Sequence, residues 1–160
     1  MVDPVLGDNG ALYGCFTEEY VQAMRALCER AQLITPHRTE AALLAGCGMD
    51  APIETLLKAL TVENVIITGV HHGEEIGYCA RLNGQYMEIF KPCLPQTLHG
   101  TGDVFVSALC GELMNGKGMP QALKDAAEFC DDCVQKTAKR GESHWYGLAF
   151  EDKLKEGRGL

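Results

Sequence analysis

Alternation is the feature that most constrains this chain. Short apolar runs of strand character are separated by segments with helical spacing. Residues 1–6 read as a strand, and Gly7-Asp8-Asn9-Gly10 as a turn. Thr17-Glu18-Glu19 opens a helix that runs to about Arg30, with Tyr20, Val21, Met24, Leu27 and Ala31 on one face. Leu33-Ile34 reads as a short buried strand, and Thr35-Pro36 opens a second helix that Gly46 stops. Pro52 opens a third helix, to about Leu60. Val65-Ile66-Ile67-Thr68-Gly69-Val70 is the clearest buried strand, and Asn83-Gly84 between two alternating runs is a strong hairpin signal. A last long helix spans roughly 120–139. Such alternation predicts a layered α/β fold with a mainly parallel sheet and one antiparallel hairpin.

Within that frame, His99-Gly100-Thr101-Gly102-Asp103-Val104-Phe105 stands out. A Gly-Thr-Gly turn opens an apolar helical run, 104–114. Backbone N–H groups of such a turn, with the positive end of the helix behind them, form an anion cradle. Asp103 falls in the first helical turn, where a carboxylate would repel a bound anion. Two roles account for it: a general base toward a hydroxyl that attacks a phosphate, or a local helix cap. In open α/β sheets ligands bind beyond the carboxyl ends of the strands. Asp8, Thr35, Glu40, Thr68 and Asp103 all follow strand-like segments, and are expected to gather along one rim.

Composition limits the partners. The chain has 160 residues and 46% hydrophobic content, which supports a single domain over 1–160 with a real core. A net charge of −8 argues against nucleic acid or an anionic membrane as the main partner. No apolar run approaches a membrane span. The eight cysteines fall mostly at buried-looking positions, and the start Met1-Val2-Asp3-Pro4 carries no secretory pattern. Free thiols in a reducing cytoplasm are expected. Cys130-Asp131-Asp132-Cys133 is a lone CxxC without the second ligand pair that zinc requires.

Taken in order, the motifs Val2-Asp3-Pro4-Val5-Leu6-Gly7-Asp8-Asn9-Gly10, Ile34-Thr35-Pro36-His37-Arg38-Thr39-Glu40-Ala41, Ile66-Ile67-Thr68 and Gly100-Thr101-Gly102-Asp103 resemble those of pyridoxal (pyridoxamine) kinases, in the ribokinase-like superfamily. Tyr146-Gly147 with Phe150-Glu151 is similar to the C-terminal segment of bacterial members. Aspartate at the last position of Gly-Thr-Gly-Asp favours pyridoxal kinases over hydroxymethylpyrimidine kinases, which often carry cysteine there. The resemblance implies a three-layer ribokinase-like α/β domain and ATP-dependent phosphorylation of the hydroxymethyl group of a B6 vitamer. It implies Asp103 as the base, and Gly100, Thr101 and Gly102 as the anion hole. It further implies Thr35, Thr68 and Asp8 toward ATP, and Asp8, Glu40 and Asp3 around Mg²⁺ and its waters, with K⁺ as an optional further ion.

Two departures stand out. His37 occupies the place where the family usually has asparagine, and imidazole suits Mg²⁺ poorly. The family's N-terminal portion, which carries much of the vitamin pocket, has no counterpart. The resemblance therefore implies a C-terminal portion that is slow or inactive alone. It also implies that the strand at 2–6 loses its neighbours, which would drive a homodimer or higher self-association. The alternatives are a hydroxymethylpyrimidine or sugar kinase of the same superfamily, and a non-catalytic nucleotide-binding or self-associating remnant.

Overall fold

The computed structural model describes residues 1–95, 98–140 and 147–156. The chain divides into two compact units, Met1–Pro92 and Cys93–Leu160. Each has its own local packing.

The first unit begins with a small antiparallel ribbon, β1 (Gly7–Asp8) and β2 (Ala11–Leu12). Its turn is Asn9-Gly10, with φ of 51° and 79°. Two successive positive φ values give the turn that matches the twist of paired strands. Helix α1 (Glu18–Cys28) starts at Thr17, whose side chain accepts the Tyr20 N–H. Then come β3 (Leu33–Ile34), α2 (Arg38–Ala45) and α3 (Ile53–Ala59). Gly46 closes α2 in the left-handed region at φ 65°, as the sequence predicts. Strands β4 (Asn64–His72), β5 (Glu75–Leu82) and β6 (Gln85–Pro92) complete a four-stranded sheet in the order β3-β4-β5-β6.

The sheet is mixed. β3 and β4 are parallel, while β4–β5 and β5–β6 are antiparallel. The Asn83-Gly84 hairpin is where the sequence places it, with both residues at positive φ. A second reversal, at Gly73-Glu74, extends β4 past Val70 and pairs His72 with Glu75. One face of β4 carries Val65 and Ile67 into a core with Leu6, Val21, Ala41, Leu44 and Leu56.

The expected strand at 1–6 is reduced to a single parallel bridge, Val2 to Ile34. Val2 donates to Leu33 O, and Thr35 N–H donates to Val2 O. Pro4 has no N–H to continue the ladder. The N–H of Leu6 turns instead to a side chain, Glu40 Oε1 at 3.1 Å.

The second unit is helical: α4 (Thr101–Met114), α5 (Met119–Arg140) and α6 (Glu151–Glu156). Helices α4 and α5 pack along one another across a short turn at Gly116. Lys117 clamps that turn with ion pairs of 2.6 Å to both Glu112 and Asp125. Phe105 and Leu109 of α4 are buried, as are Leu123, Ala126, Cys130 and Cys133 of α5. The eight cysteines are free thiols. Among the described residues no helix is long and apolar enough to cross a membrane.

Candidate functional site

The first unit gathers five of the predicted residues, Asp3, Asp8, Thr35, Glu40 and Thr68, around the end of β3 and a bulge within β4. Thr35 directly follows β3 and is 2% exposed; its hydroxyl donates to Asp3 Oδ1 at 2.6 Å. Thr68 sits in β4 at a bulge, where pairing with β5 slips between Ile67 and Val70. Gly69 takes φ 64° there. The bulge frees Thr68 from the β5 register, and its N–H donates to Pro36 O at 3.0 Å. His37 and Thr68 thereby pair across the gap between the strand ends. A bulge beside a site re-aims one side chain without changing the rest of the strand.

Glu40 organises this rim. Its Oε1 accepts the Leu6 N–H at 3.1 Å and its Oε2 accepts the His37 N–H at 3.0 Å. One buried carboxylate therefore ties the 1–6 segment to the start of α2. Burial pushes the Glu40 carboxyl above its ordinary range; nearby His37 and the two backbone donors act in the opposite sense. His37 is the N-cap of α2, and its Nδ1 accepts the Glu40 N–H at 3.2 Å. With Nδ1 an acceptor, the ring proton belongs on Nε2, an assignment made from the hydrogen-bond pattern. The approach of Nδ1 to Glu40 Oε2, 3.4 Å, is then a contact and not an ion pair. Nε2 faces Asp8 Oδ1 at 3.5 Å. Thr39, which the sequence reading missed, accepts the Gly10 N–H at 3.0 Å and anchors the β1–β2 turn that carries Asp8.

The residue types suit a hard cation, since Asp3, Asp8 and Glu40 offer only oxygen. Among the described residues no three carboxylate, imidazole or thiol groups close into a ligand set. Glu40 already spends both oxygens on backbone donors, and Asp8 Oδ2 accepts from the Asn9 side chain at 3.2 Å. The arrangement fits an ion that keeps its waters, held at one remove, better than a direct chelate.

The second unit holds the glycine turn. Gly100 is the N-cap of α4, with φ 81° and ψ 8°, a left-handed conformation that suits glycine. The N-cap is a glycine, and among the described residues no side-chain cap bond closes this end of the helix. Asp103 lies exposed in the first turn of the helix. Val104 N–H begins the helical bonding by donating to Gly100 O at 3.0 Å. The N–H groups ahead of it belong to the set a helix leaves without helical partners. A β-carbon at Gly102 would meet nothing within 4 Å, so the backbone there is open to close approach. Beside Asp103 runs a groove of about 510 Å³, lined by Val104, Ala108, Phe129, Phe150 and Leu154 among others. Its polar groups are Asp103, Ser107, Glu112 and Asn115, and apolar walls with a few polar groups are typical of small-molecule sites. Tyr146, part of the motif Tyr146-Gly147, lies outside the described residues.

These features define a class before they define a relative: a ribokinase-like α/β fold carrying an uncapped Gly-Thr-Gly-Asp helix start. The chain belongs to the phosphomethylpyrimidine kinase family, whose model matches residues 1–147. It is similar to the pyridoxine kinase of Bacillus subtilis, 30% identical over 152 residues, covering 86% of this chain and 54% of that protein. Its fold is similar to pyridoxal kinase from Lactobacillus plantarum, with TM-score 0.88 and 33% identity over 96% of this chain and 59% of that one. A Bacteroides thetaiotaomicron protein, provisionally described as a phosphomethylpyrimidine kinase and crystallised with pyridoxal, is 36% identical with TM-score 0.74. It covers 84% of this chain and 52% of that one. The chain spans about half the length of the curated relatives it matches.

Proposed function

We propose that this chain carries the phosphate-binding and base machinery of an ATP-dependent kinase for the hydroxymethyl group of a B6 vitamer. The observation that carries this reading is the uncapped helix start, Gly100-Thr101-Gly102, with Asp103 exposed in its first turn. Dipoles already aimed at the phosphoryl group stabilise its charge in transit without reorganisation. Asp103 accepts the proton from the attacking hydroxyl, so that oxygen can bond to phosphorus as the bridging oxygen leaves with ADP. Thr35 and Thr68 address the nucleotide phosphates. Asp8, Glu40 and Asp3 would hold Mg²⁺, and K⁺ is an optional further ion. When bound, Mg²⁺ neutralises charge on the phosphates.

The pyridoxal bound to the similar Bacteroides protein supports a B6 acceptor. The family description, phosphomethylpyrimidine kinase, supports a second reading in which the acceptor is a pyrimidine such as hydroxymethylpyrimidine. Free thiols and a net charge of −8 support a reducing, cytoplasmic setting without nucleic-acid or membrane partners. Self-association as a homodimer stays part of the proposal, with the apolar groove beside α4 as a further exposed surface.

The test is calorimetry with ATP·Mg followed by a coupled assay offering pyridoxal, pyridoxine and hydroxymethylpyrimidine. Nucleotide binding with transfer to a B6 vitamer supports the first reading, and transfer to the pyrimidine alone supports the second. Neither binding nor transfer overturns both.

A further inference from the structure

Helix α5 presents Cys130, Cys133 and Thr137 on one buried face, at helical spacings of three and four. The two ends of this row are bonded to the surroundings of the glycine turn. The Cys130 thiol donates to Thr101 O, with Sγ···O 3.5 Å. The Thr137 hydroxyl donates to Cys133 O at 2.7 Å and accepts the Ala149 N–H at 2.8 Å. Its single proton is committed to the helix, so its lone pair is fixed toward Ala149. Both Thr137 and Ala149 are buried, at 1% and 4% exposed.

The segment Thr137 holds is the neighbour of the turn. A β-carbon on Gly100 would stand 3.8 Å from Gly147 Cα, and one on Gly147 would stand 3.8 Å from His99 O. Gly147 itself takes φ 130°, a conformation that excludes ordinary side chains. The glycine turn therefore lies beside the Gly147 backbone on one side, and is bonded to α5 through Thr101 on another.

We propose that Thr137, together with Cys130, is a positioning residue for the anion turn: α5 sets the aim of the 101–103 amides through the Ala149 bond and the Thr101 carbonyl. This rests on the kinase reading for its purpose, though not for its geometry. A helix N-terminus binds phosphate well only when its amides are held at the ligand. The bonds that hold this turn among the described residues come from behind it, from Cys130 to Thr101 O and from Thr137 to Ala149.

The experiment is amide NMR of the 160-residue chain, alone and titrated with inorganic phosphate, comparing wild type, Thr137→Val, Thr137→Ser and Cys130→Ala. Valine keeps the shape and removes the hydroxyl. The Ala149 amide is expected to exchange about tenfold faster in Thr137→Val, the loss of one buried hydrogen bond. The resonances of Gly100, Thr101 and Gly102 are expected to move, and phosphate affinity to fall several-fold. Thr137→Ser is expected to restore all three readouts, and Cys130→Ala to shift Thr101 and Gly102 and weaken phosphate. Resonances at 100–102 that stay in place in Thr137→Val and Cys130→Ala would overturn the proposal, as would unchanged phosphate affinity beside a freely exchanging Ala149. If Thr137→Val does not fold, Cys130→Ala decides by the same readouts. Should wild type bind no phosphate, the kinase reading fails, and the ligand-free resonances still decide whether α5 positions the turn.

Discussion

His37 and Glu40 cap one helix reciprocally: Nδ1 of His37 accepts the Glu40 N–H at 3.2 Å, and Glu40 Oε2 accepts the His37 N–H at 3.0 Å. The pair gives a chemical reason for a histidine where the resemblance leads one to expect asparagine. Both side chains place an acceptor where the N-cap of α2 needs one. The cap is preserved, and what differs is the second ring nitrogen, which reaches toward Asp8.

Substitution at position 37 separates these two functions. His37→Ala removes the cap and is expected to cost about 0.5–2 kcal/mol in urea unfolding. His37→Asn is expected to keep stability within about 0.5 kcal/mol of wild type, since asparagine caps well. It also releases Asp8 from the imidazole, so Mg²⁺-dependent ATP binding measured by calorimetry is expected to tighten. Unchanged affinity would place His37 outside the surroundings of the ion.

Glu40 predicts a pH dependence. Burial raises its carboxyl pKa in the folded state, so the folded chain binds the proton more tightly than the unfolded chain. Stability from this group is fully present below the unfolded pKa and is lost as pH rises through the raised folded value. Urea unfolding from pH 4 to 7 is expected to show a more negative slope for wild type than for Glu40→Gln. Parallel slopes would contradict the assignment. Glu40→Gln is also expected to cost about 1–3 kcal/mol near neutral pH, because an amide cannot accept from both Leu6 and His37.

The thiols divide by burial. Cys28 and Cys79 are pushed up to about 11, chiefly by burial and then by nearby carboxylates. Brief alkylation of the native chain at pH 8 is expected to label Cys15, Cys93 and Cys110, which are exposed, and to spare Cys28, Cys79, Cys130 and Cys133. Peptide mass mapping reads the outcome directly. Rapid labelling of Cys130 would contradict its place behind Thr101.

The fold was legible where local chemistry decides it. Thr17, Thr35-Pro36, Pro52 and Gly46 marked helix ends, and Asn83-Gly84 marked the hairpin, because caps and turns are written in adjacent residues. The reversal at Gly73-Glu74 was not read, since one glycine beside two glutamates lacks the paired turn signal of Asn-Gly. The strand at 1–6 was read from apolar content, and Pro4 with the Leu6–Glu40 bond ends its pairing after one bridge. In the site, residue types at strand ends were visible, and Thr35, Thr68, Glu40 and Asp8 do share one rim. The Thr68 bulge, the Thr39–Gly10 bond and the Thr137–Ala149 bond join residues far apart in sequence, and no local pattern encodes them.

Asp103 tests the chemistry of the proposed reaction. Asp103→Asn keeps the size of the side chain and removes the base. Whatever transfer to pyridoxal the wild-type chain supports is expected to fall by about a hundred- to ten-thousand-fold, with ATP binding retained. Near-normal turnover would reassign the carboxylate.

The most direct measurement is an amide NMR titration of the wild-type chain and Asp103→Asn with ATP·Mg. The account predicts saturable shifts of Thr101, Gly102 and Asp103 at the start of α4, together with Thr35 and Thr68. The same shifts are expected in the asparagine variant, because the proposal gives position 103 a backbone amide toward phosphate and its carboxylate the role of base. Shifts confined to other surfaces, or the absence of any saturable shift at 101–103, would contradict the assignment of this turn as the phosphate site.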